Sequence, residues 1–306
     1  MMNLATREAY GNTLVELIEN EDIVVLDADL AHATKSLNFQ KKCPERFFNM
    51  GIAEADMIGT AAGLSTCGKI PFASTFAVFA TGRAFDQIRN SVCYPGLNVK
   101  IVGTHSGISV GEDGGTHQAV EDIALMRSLP NMTVIHPSDD VEARLAVLAS
   151  AEYKGPVYLR LSRVPTPTIH DENYKFEIGK GEVIKEGTDI TVIATGLMVA
   201  KALEASKILE KDGINVKIIN ISTIKPLDEK LIIKAAKETG KIVTVEEHNI
   251  IGGLGSAVSE LLSKVYPVKI DMIGVKDCFG KSGTPELLHQ EYGLTVDAIV
   301  ESVRKI

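Results

Sequence analysis

At 306 residues the chain is about twice a common domain length, so two domains are expected, each large enough for its own core. Apolar residues make up 45% and charged residues 24%, an ordinary globular balance. A net charge of −8 without a Lys/Arg run argues against a nucleic-acid surface or an anionic membrane, and small-molecule partners fit better.

The N-terminal residues 1–8 lack the basic and apolar regions of a signal peptide, and no apolar run approaches the ~20 residues that span a bilayer, so a cytoplasmic protein is expected. Short β-rich runs at 23–26, 70–74, 99–104, 133–136 and 157–161 are bounded by Gly, Pro, Asn or Asp, with helical patterns between them. Residues 54–67 are rich in Ala and Gly, the composition of a helix packed closely against another backbone. Continuous apolar strands with intervening helices predict a mostly parallel sheet covered on both faces. Residues 164–178 break the rhythm with two prolines and a polar stretch. A second α/β unit follows, with strands expected at 190–194, 216–221, 242–246 and 268–273 and helices at 198–211, 228–238, 255–265 and 296–304. The expected fold is therefore α/β, two doubly wound and mostly parallel domains at 1–165 and 179–306 joined by a linker at 166–178. Cys43, Cys67, Cys93 and Cys278 are scattered without C-x-x-C spacing and read as reduced thiols rather than a zinc site or disulfide framework.

Several segments carry chemistry. Asp27-Ala28-Asp29-Leu30 follows the first strand, where Asp29 reads equally as a turn residue or helix cap. Residues 49–57, Asn-Met-Gly-Ile-Ala-Glu-Ala-Asp-Met, open a small, apolar helix with Glu54. A carboxyl there is expected to be largely buried, although a glutamate at a helix start is ordinarily just a favourable charge near the dipole. Residues 74–83 set Phe76 and Phe79 three apart, generically a core pair. The richest stretch is 103–118, Gly-Thr-His-Ser-Gly-Ile-Ser-Val-Gly-Glu-Asp-Gly-Gly-Thr-His-Gln, directly after an apolar strand. Loops at the carboxyl ends of parallel strands are where open α/β sheets bind ligands. Its five glycines let backbone approach a ligand, while His105, His117, Glu112 and Asp113 offer donors and acceptors for hydroxyls or proton transfer; a turn cluster is the plain alternative. Arg7 and Arg163, taken alone, are solvated surface charges. Residues 246–255, Glu-Glu-His-Asn-Ile-Ile-Gly-Gly-Leu-Gly, lack a full G-x-G-x-x-G and do not follow the first strand of their unit, so they read as a tight strand–helix turn rather than a dinucleotide site.

The 103–118 loop closely resembles the Thr-His-Asp-Ser-Ile-Gly-x-Gly-Glu-Asp-Gly-Pro-Thr-His-Gln motif of transketolases, differing mainly at Ser106-Gly107 and at Gly115 in place of proline. Deoxyxylulose-phosphate synthases carry a related form, and beta subunits of 2-oxoacid dehydrogenases share the fold without the Gly-Glu-Asp-Gly…Thr-His-Gln string. The resemblance runs from residue 3 to the C-terminus and implies a pyrimidine-binding domain followed by a transketolase C-terminal domain of mainly structural role. It implies thiamine diphosphate and Mg2+ as cofactors. Glu54 would hydrogen-bond the aminopyrimidine and favour its imino tautomer, Phe76 and Phe79 would line the ring's pocket, and Asp29 would lie near the cofactor. His105, Arg163 and Arg7 would bind sugar phosphate, Asp113 would read a substrate hydroxyl, and His117 would lie in the substrate channel with a catalytic role. The chain departs from the family at Ala53 (often Arg), at Gly82 (a tyrosine) and near Ala33-Thr34, where a serine is missing.

The family holds Mg2+ and diphosphate with Gly-Asp-Gly and an Asn about thirty residues on, a pair this chain lacks, so no metal ligands of its own are expected. The resemblance thus implies the C-terminal subunit of a split transketolase, moving a two-carbon ketol unit from a ketose phosphate to an aldose phosphate. It would work only with an N-terminal, diphosphate-binding subunit, in a heterotetramer that also self-associates. The alternatives are a beta subunit of a 2-oxoacid or acetoin dehydrogenase, which should lack the Gly-Glu-Asp-Gly loop, and a non-catalytic scaffold, which should have lost Glu54 or His117.

Overall fold

A computed structural model of the chain describes residues 3–306; Met1 and Met2, where the expected first domain begins, lie outside the described residues. Two sheets organise it. The first half contributes β1 (Ile23–Asp27), β2 (Phe47–Asn49), β3 (Ile70–Phe76), β4 (Lys100–Thr104), β5 (Thr133–Ile135) and β6 (Val157–Arg160). The second contributes β7 (Glu182–Lys185), β8 (Ile190–Ala194), β9 (Val216–Asn220), β10 (Thr223–Lys225), β11 (Lys241–Asn249) and β12 (Lys269–Val275). The first sheet runs β10-β5-β6-β4-β3-β1-β2 and the second β12-β11-β8-β9-β7. Only β10 and β7, each on an edge, are antiparallel to their neighbours.

Strand β1 reads Ile-Val-Val-Leu-Asp and is buried at all five positions because both its faces are covered. Successive side chains point to opposite faces. Val24 and Leu26 accordingly pack with Met57, Ile58 and Ala61 of the helix Glu54–Thr66. Ile23 and Val25 pack with Tyr10 and Leu14 of the helix Thr6–Glu16 and with Ala146 and Val147 of the helix Asp140–Glu152. The second sheet repeats the scheme. Val192 and Ala194 face the helices Met198–Lys211 and Val296–Lys305, while Ile193 and Ile219 face Glu229–Thr239 and Leu254–Val265. Each expected strand and helix is present within a few residues of its predicted bounds; β2, β7 and β10 were not expected.

Strand β10 crosses from the second half into the first sheet, where Thr223 pairs with Ile135 and Lys225 with Val134. Lys225 fixes it by donating to the carbonyls of Arg127 and Leu129. Residues 164–178 hold no helix or strand, yet they are strapped down. The Asp139 Oδ2 atom accepts from Ile169 N at 2.7 Å and His170 N at 2.8 Å, and His170 bridges Asp139 (2.8 Å) to Glu182 (2.9 Å). Burial opposes charge on His170, but hydrogen bonds from Asp139 and Glu182 outweigh it and raise its pKa to about 10.

A polar knot joins the halves. Arg160, fully buried, donates to Asp122 at 2.8 and 3.2 Å and to the carbonyls of Ala119 (3.2 Å) and Glu247 (3.0 Å). Residues 246–255 do form a strand–helix turn, and the Glu246 carboxylate occupies the helix start by accepting from Leu254 N (2.7 Å) and Gly255 N (2.8 Å). A chain-borne anion thus satisfies the donors that a phosphate would need. All four cysteines are free, and no described helix is long and apolar enough to cross a membrane.

Candidate active site

In the first sheet the chain goes from β1 outward to β2 and then returns to the other side of β1 for β3, which makes the β1/β3 boundary the point where strand order reverses. Ligands of open α/β sheets bind outside the carboxyl ends of strands at such a point. Asp29 follows β1, Phe76 ends β3, and His105 follows β4, so the topology delivers three of the expected residues to one edge.

The loop after β1 is built by Asp27, whose buried carboxylate accepts from Leu30 N (2.6 Å), Thr34 Oγ1 (2.7 Å) and Ser36 Oγ (2.8 Å). Burial raises its pKa to about 6, with those three hydrogen bonds pulling it back. Asp29 is exposed, takes a left-handed φ of 64°, and accepts from Asn49 Nδ2 at 3.0 Å. That conformation is uncommon for a residue with a Cβ and is found at ligand-facing turns.

Glu54 is the first residue of its helix and 4% exposed. Its Oε1 accepts from Arg83 Nη1 at 2.9 Å. Arg83 in turn lies over the Phe79 ring, 4.2 Å from the centroid, one helical turn along from it. Phe76 and Phe79 stack nearly parallel, with centroids 5.8 Å apart and an 11° interplanar angle. The edge of His117 meets Phe79 at 5.3 Å. A Cβ built on Gly82 meets nothing within 4 Å, so the wall where relatives of this motif carry tyrosine is open. A buried carboxylate acceptor beside an aromatic face and an open wall fits a flat, hydrogen-bonding heterocycle.

On the other side of Phe76 lies His105, stacked at 3.9 Å, 3% exposed and at φ 55°. Arg7 Nη1 donates to His105 Nε2 at 2.9 Å, which assigns the ring proton to Nδ1, where it meets Thr104 Oγ1 at 2.9 Å. Burial lowers the His105 pKa to about 3, and the nearby Arg7, Arg163 and Lys35 charges add to this. His105 is therefore a neutral ring with both nitrogens engaged, amid three cations. Arg7 has a lowered pKa, from burial first, with Glu8 opposing and Arg163 adding; its Nε is buried without a partner. Arg163 donates to Val110 O and to Asp113 Oδ2 (3.3 Å), on the short 3-10 segment Ile108–Asp113. Cations with unspent donors suit an oxyanion such as a phosphate.

The structure thus gathers Arg7, Asp29, Glu54, Phe76, Phe79, His105, Asp113, His117 and Arg163 around the carboxyl edge of β1, β3 and β4. Sequence reasoning missed Arg83, Lys35 and Asp27. Arg83 closes the same segment as the two phenylalanines, and its spacing of four from Phe79 was a usable signal. Among the described residues no cluster of three or more His, Cys, Asp or Glu is arranged to hold a metal ion.

Residues 2–167 match the family described as "Transketolase, pyrimidine binding domain" and residues 179–299 the one described as "Transketolase, C-terminal domain". A "Putative transketolase C-terminal section" from Methanocaldococcus jannaschii is 52% identical over 97% of this chain and 94% of its own. Human "Transketolase" is 40% identical over 98% of this chain, which spans 49% of that protein. A solved structure described as "Split gene transketolase, inactive beta4 tetramer" superposes with a TM-score of 0.91 at 54% identity, covering 99% of this chain and 98% of the other.

Proposed function

The chain belongs to the transketolase family, corresponding over nearly its whole length to the C-terminal section of those enzymes, and from that premise we propose that it is one subunit of a two-chain, thiamine-diphosphate-dependent ketol transferase. The complete enzyme moves a two-carbon ketol unit from a ketose phosphate to an aldose phosphate. An N-terminal partner subunit holds the diphosphate and its Mg2+, the two chains assemble as a heterotetramer, and the enzyme works in the cytoplasm. Support for the partner comes from the likeness to a putative transketolase C-terminal section over 94% of that protein and from the solved relative's description as a split gene transketolase in an inactive beta4 tetramer.

The observation that carries this reading is the buried Glu54 carboxylate beside the Phe76/Phe79 stack, with a cationic, donor-rich floor on the other side of Phe76. Glu54 would hold the aminopyrimidine by a hydrogen bond, with Arg83 moving aside, while Phe76 and Phe79 would flank it and Asp29 would lie near it. When bound, thiamine diphosphate supplies the carbon nucleophile for breaking and making the carbon–carbon bond. Arg7 and Arg163 grip the substrate phosphate; His105, neutral and fully engaged, contributes by orienting Arg7. Asp113 accepts from a substrate hydroxyl, and His117, its ring braced on Phe79, moves a proton in the channel. The phenylalanines and His117 together exclude water from the reacting side.

The test mixes this chain with a Gly-Asp-Gly-bearing partner, thiamine diphosphate and Mg2+, then follows transfer from xylulose 5-phosphate to ribose 5-phosphate. Transfer only in the mixture is expected. Strong transfer by this chain alone overturns the partner requirement, and none with any matched partner overturns the activity.

A further inference from the structure

Several groups of the C-terminal half meet the substrate edge, Ser282 at Gly114 and Pro285 at Gly111 among them, and one of these groups is a buried carboxylate. Glu247, fully buried near the end of β11, accepts from Ser109 N at 2.5 Å and from Ser109 Oγ at 3.1 Å. Ser109 lies on the 3-10 segment whose Val110 carbonyl and Asp113 carboxylate hold Arg163. The loop is made to receive this carboxylate. Gly107 has a φ of +73°, and a Cβ there would lie 2.4 Å from the Glu247 carboxyl carbon. Gly111, at φ +87°, breaks the helical turn so that Asp113 can face back toward Arg163.

Behind Glu247 stands His289, its Nε2 3.4 Å from Glu247 Oε1. Lys201 donates to His289 Nδ1 at 2.8 Å and to Leu294 O at 2.6 Å. The Lys201 donation assigns the histidine proton to Nε2, where it points at Glu247. Burial opposes charge on Glu247, yet His289, Arg160 and the Ser109 amide hold its pKa below the ordinary value, so the carboxylate stays an acceptor. At the outer end Lys201 and His289 line a cleft of about 480 Å³ with Pro165, Thr166 and Leu197.

We propose that Lys201, His289 and Glu247 form a positioning relay by which the C-terminal domain sets the conformation of the 107–113 loop, and through Arg163 the affinity for the substrate's phosphate. This rests on the ketol-transfer reading above. It assigns a part in substrate recognition to a domain otherwise read as structural. The relay touches neither cofactor nor reacting atoms, so it acts on KM rather than on kcat.

The experiment uses the assembled two-chain enzyme carrying Glu247→Gln or Lys201→Met, with hydrogen exchange on the same samples. Gln keeps the volume and one acceptor but loses the charge. With Glu247→Gln, KM for the phosphorylated pair should rise about tenfold at nearly constant kcat, the worth of one charge-assisted hydrogen bond. KM for hydroxypyruvate with glycolaldehyde, neither of which carries phosphate, should rise several-fold less. Amides of 107–113 should exchange faster in both variants, and less so in Lys201→Met. Equal KM changes for both pairs, or a fall in kcat with KM unchanged, would overturn the relay, as would unaltered exchange across 107–113. If the wild-type enzyme transfers no ketol unit, the functional reading falls, and the exchange measurement still decides the relay.

Discussion

At the carboxyl edge of the first sheet, the loops after β1, β3 and β4 leave Asp29 exposed, Arg7 Nε unpartnered and the Gly82 wall open. The same edge of the second sheet is filled by the protein's own groups. After β8, Gly196 at φ +59° presses so closely on His136 that a Cβ would lie 2.0 Å from the ring. At the end of β11, Glu246 caps its own helix and Glu247 enters the 107–113 loop. After β12, Lys281 O accepts from Gln118 Nε2 at 2.9 Å. Two sheets of one architecture thus use their ligand-binding edge differently: one leaves an open wall and an unspent arginine donor, and the other is filled by docking against the first half.

The sharpest way to break this comparison is at the open edge. Glu54→Ala should lower ketol transfer by about 10²–10⁴-fold, the usual range for a group governing proton transfer, while elution of the assembled enzyme on gel filtration stays unchanged. Activity near wild type would move the chemistry elsewhere. At the docked edge the expected losses are of stability. Arg160→Met leaves Asp122 charged and unpaired in a dry knot, and urea unfolding should report a loss of about 3–5 kcal/mol. Gly196→Ala meets both a positive φ and the His136 ring, so about 1–3 kcal/mol should be lost in the same assay.

Smaller effects sharpen the picture. Because the folded pKa of His170 is raised to about 10 from an unfolded value near 6.5, its contribution is fully present below pH ~6.5 and fades as pH rises toward 10. Melting temperature should therefore drift down over that window, and His170→Gln should flatten the drift. Smallest of all, Gly82→Ala sits in the helix Ala77–Arg83 with free space around it, so a gain of about 0.5–1 kcal/mol is expected. A loss measured by thermal unfolding would mean the wall at Gly82 is not open.

Much of this was legible because local pattern and tertiary need agreed. The run 190–194 is apolar and β-branched and became β8 with the same bounds, and the helix Met198–Lys211 is amphipathic along its length. Glu54 was visible as the charge that opens an otherwise apolar helix, although sequence alone did not separate it, buried, from the exposed Asp56 two residues on. The strands that escaped are three or four residues long and are made by distant partners: Thr223 becomes a strand residue only because the backbone of Ile135 is there to pair with it. The same holds for side chains. Nothing near Glu247 in sequence announces Ser109, 138 residues away, and nothing near Arg160 announces Asp122. Composition reads residues 166–178 as a linker and says nothing of how they are held, because the Asp139 and Glu182 carboxylates that bind His170 belong to the elements on either side.

The crossing of β10 has a consequence for how the chain is made. On the ribosome the first six strands emerge before residue 223, so the nascent N-terminal half carries β5 as a bare edge, open to pairing with any other extended chain. Its Arg160 also lacks the Glu247 carbonyl until β11 has emerged. Completion of the first sheet and of the Arg160 knot therefore waits on residues of the second half.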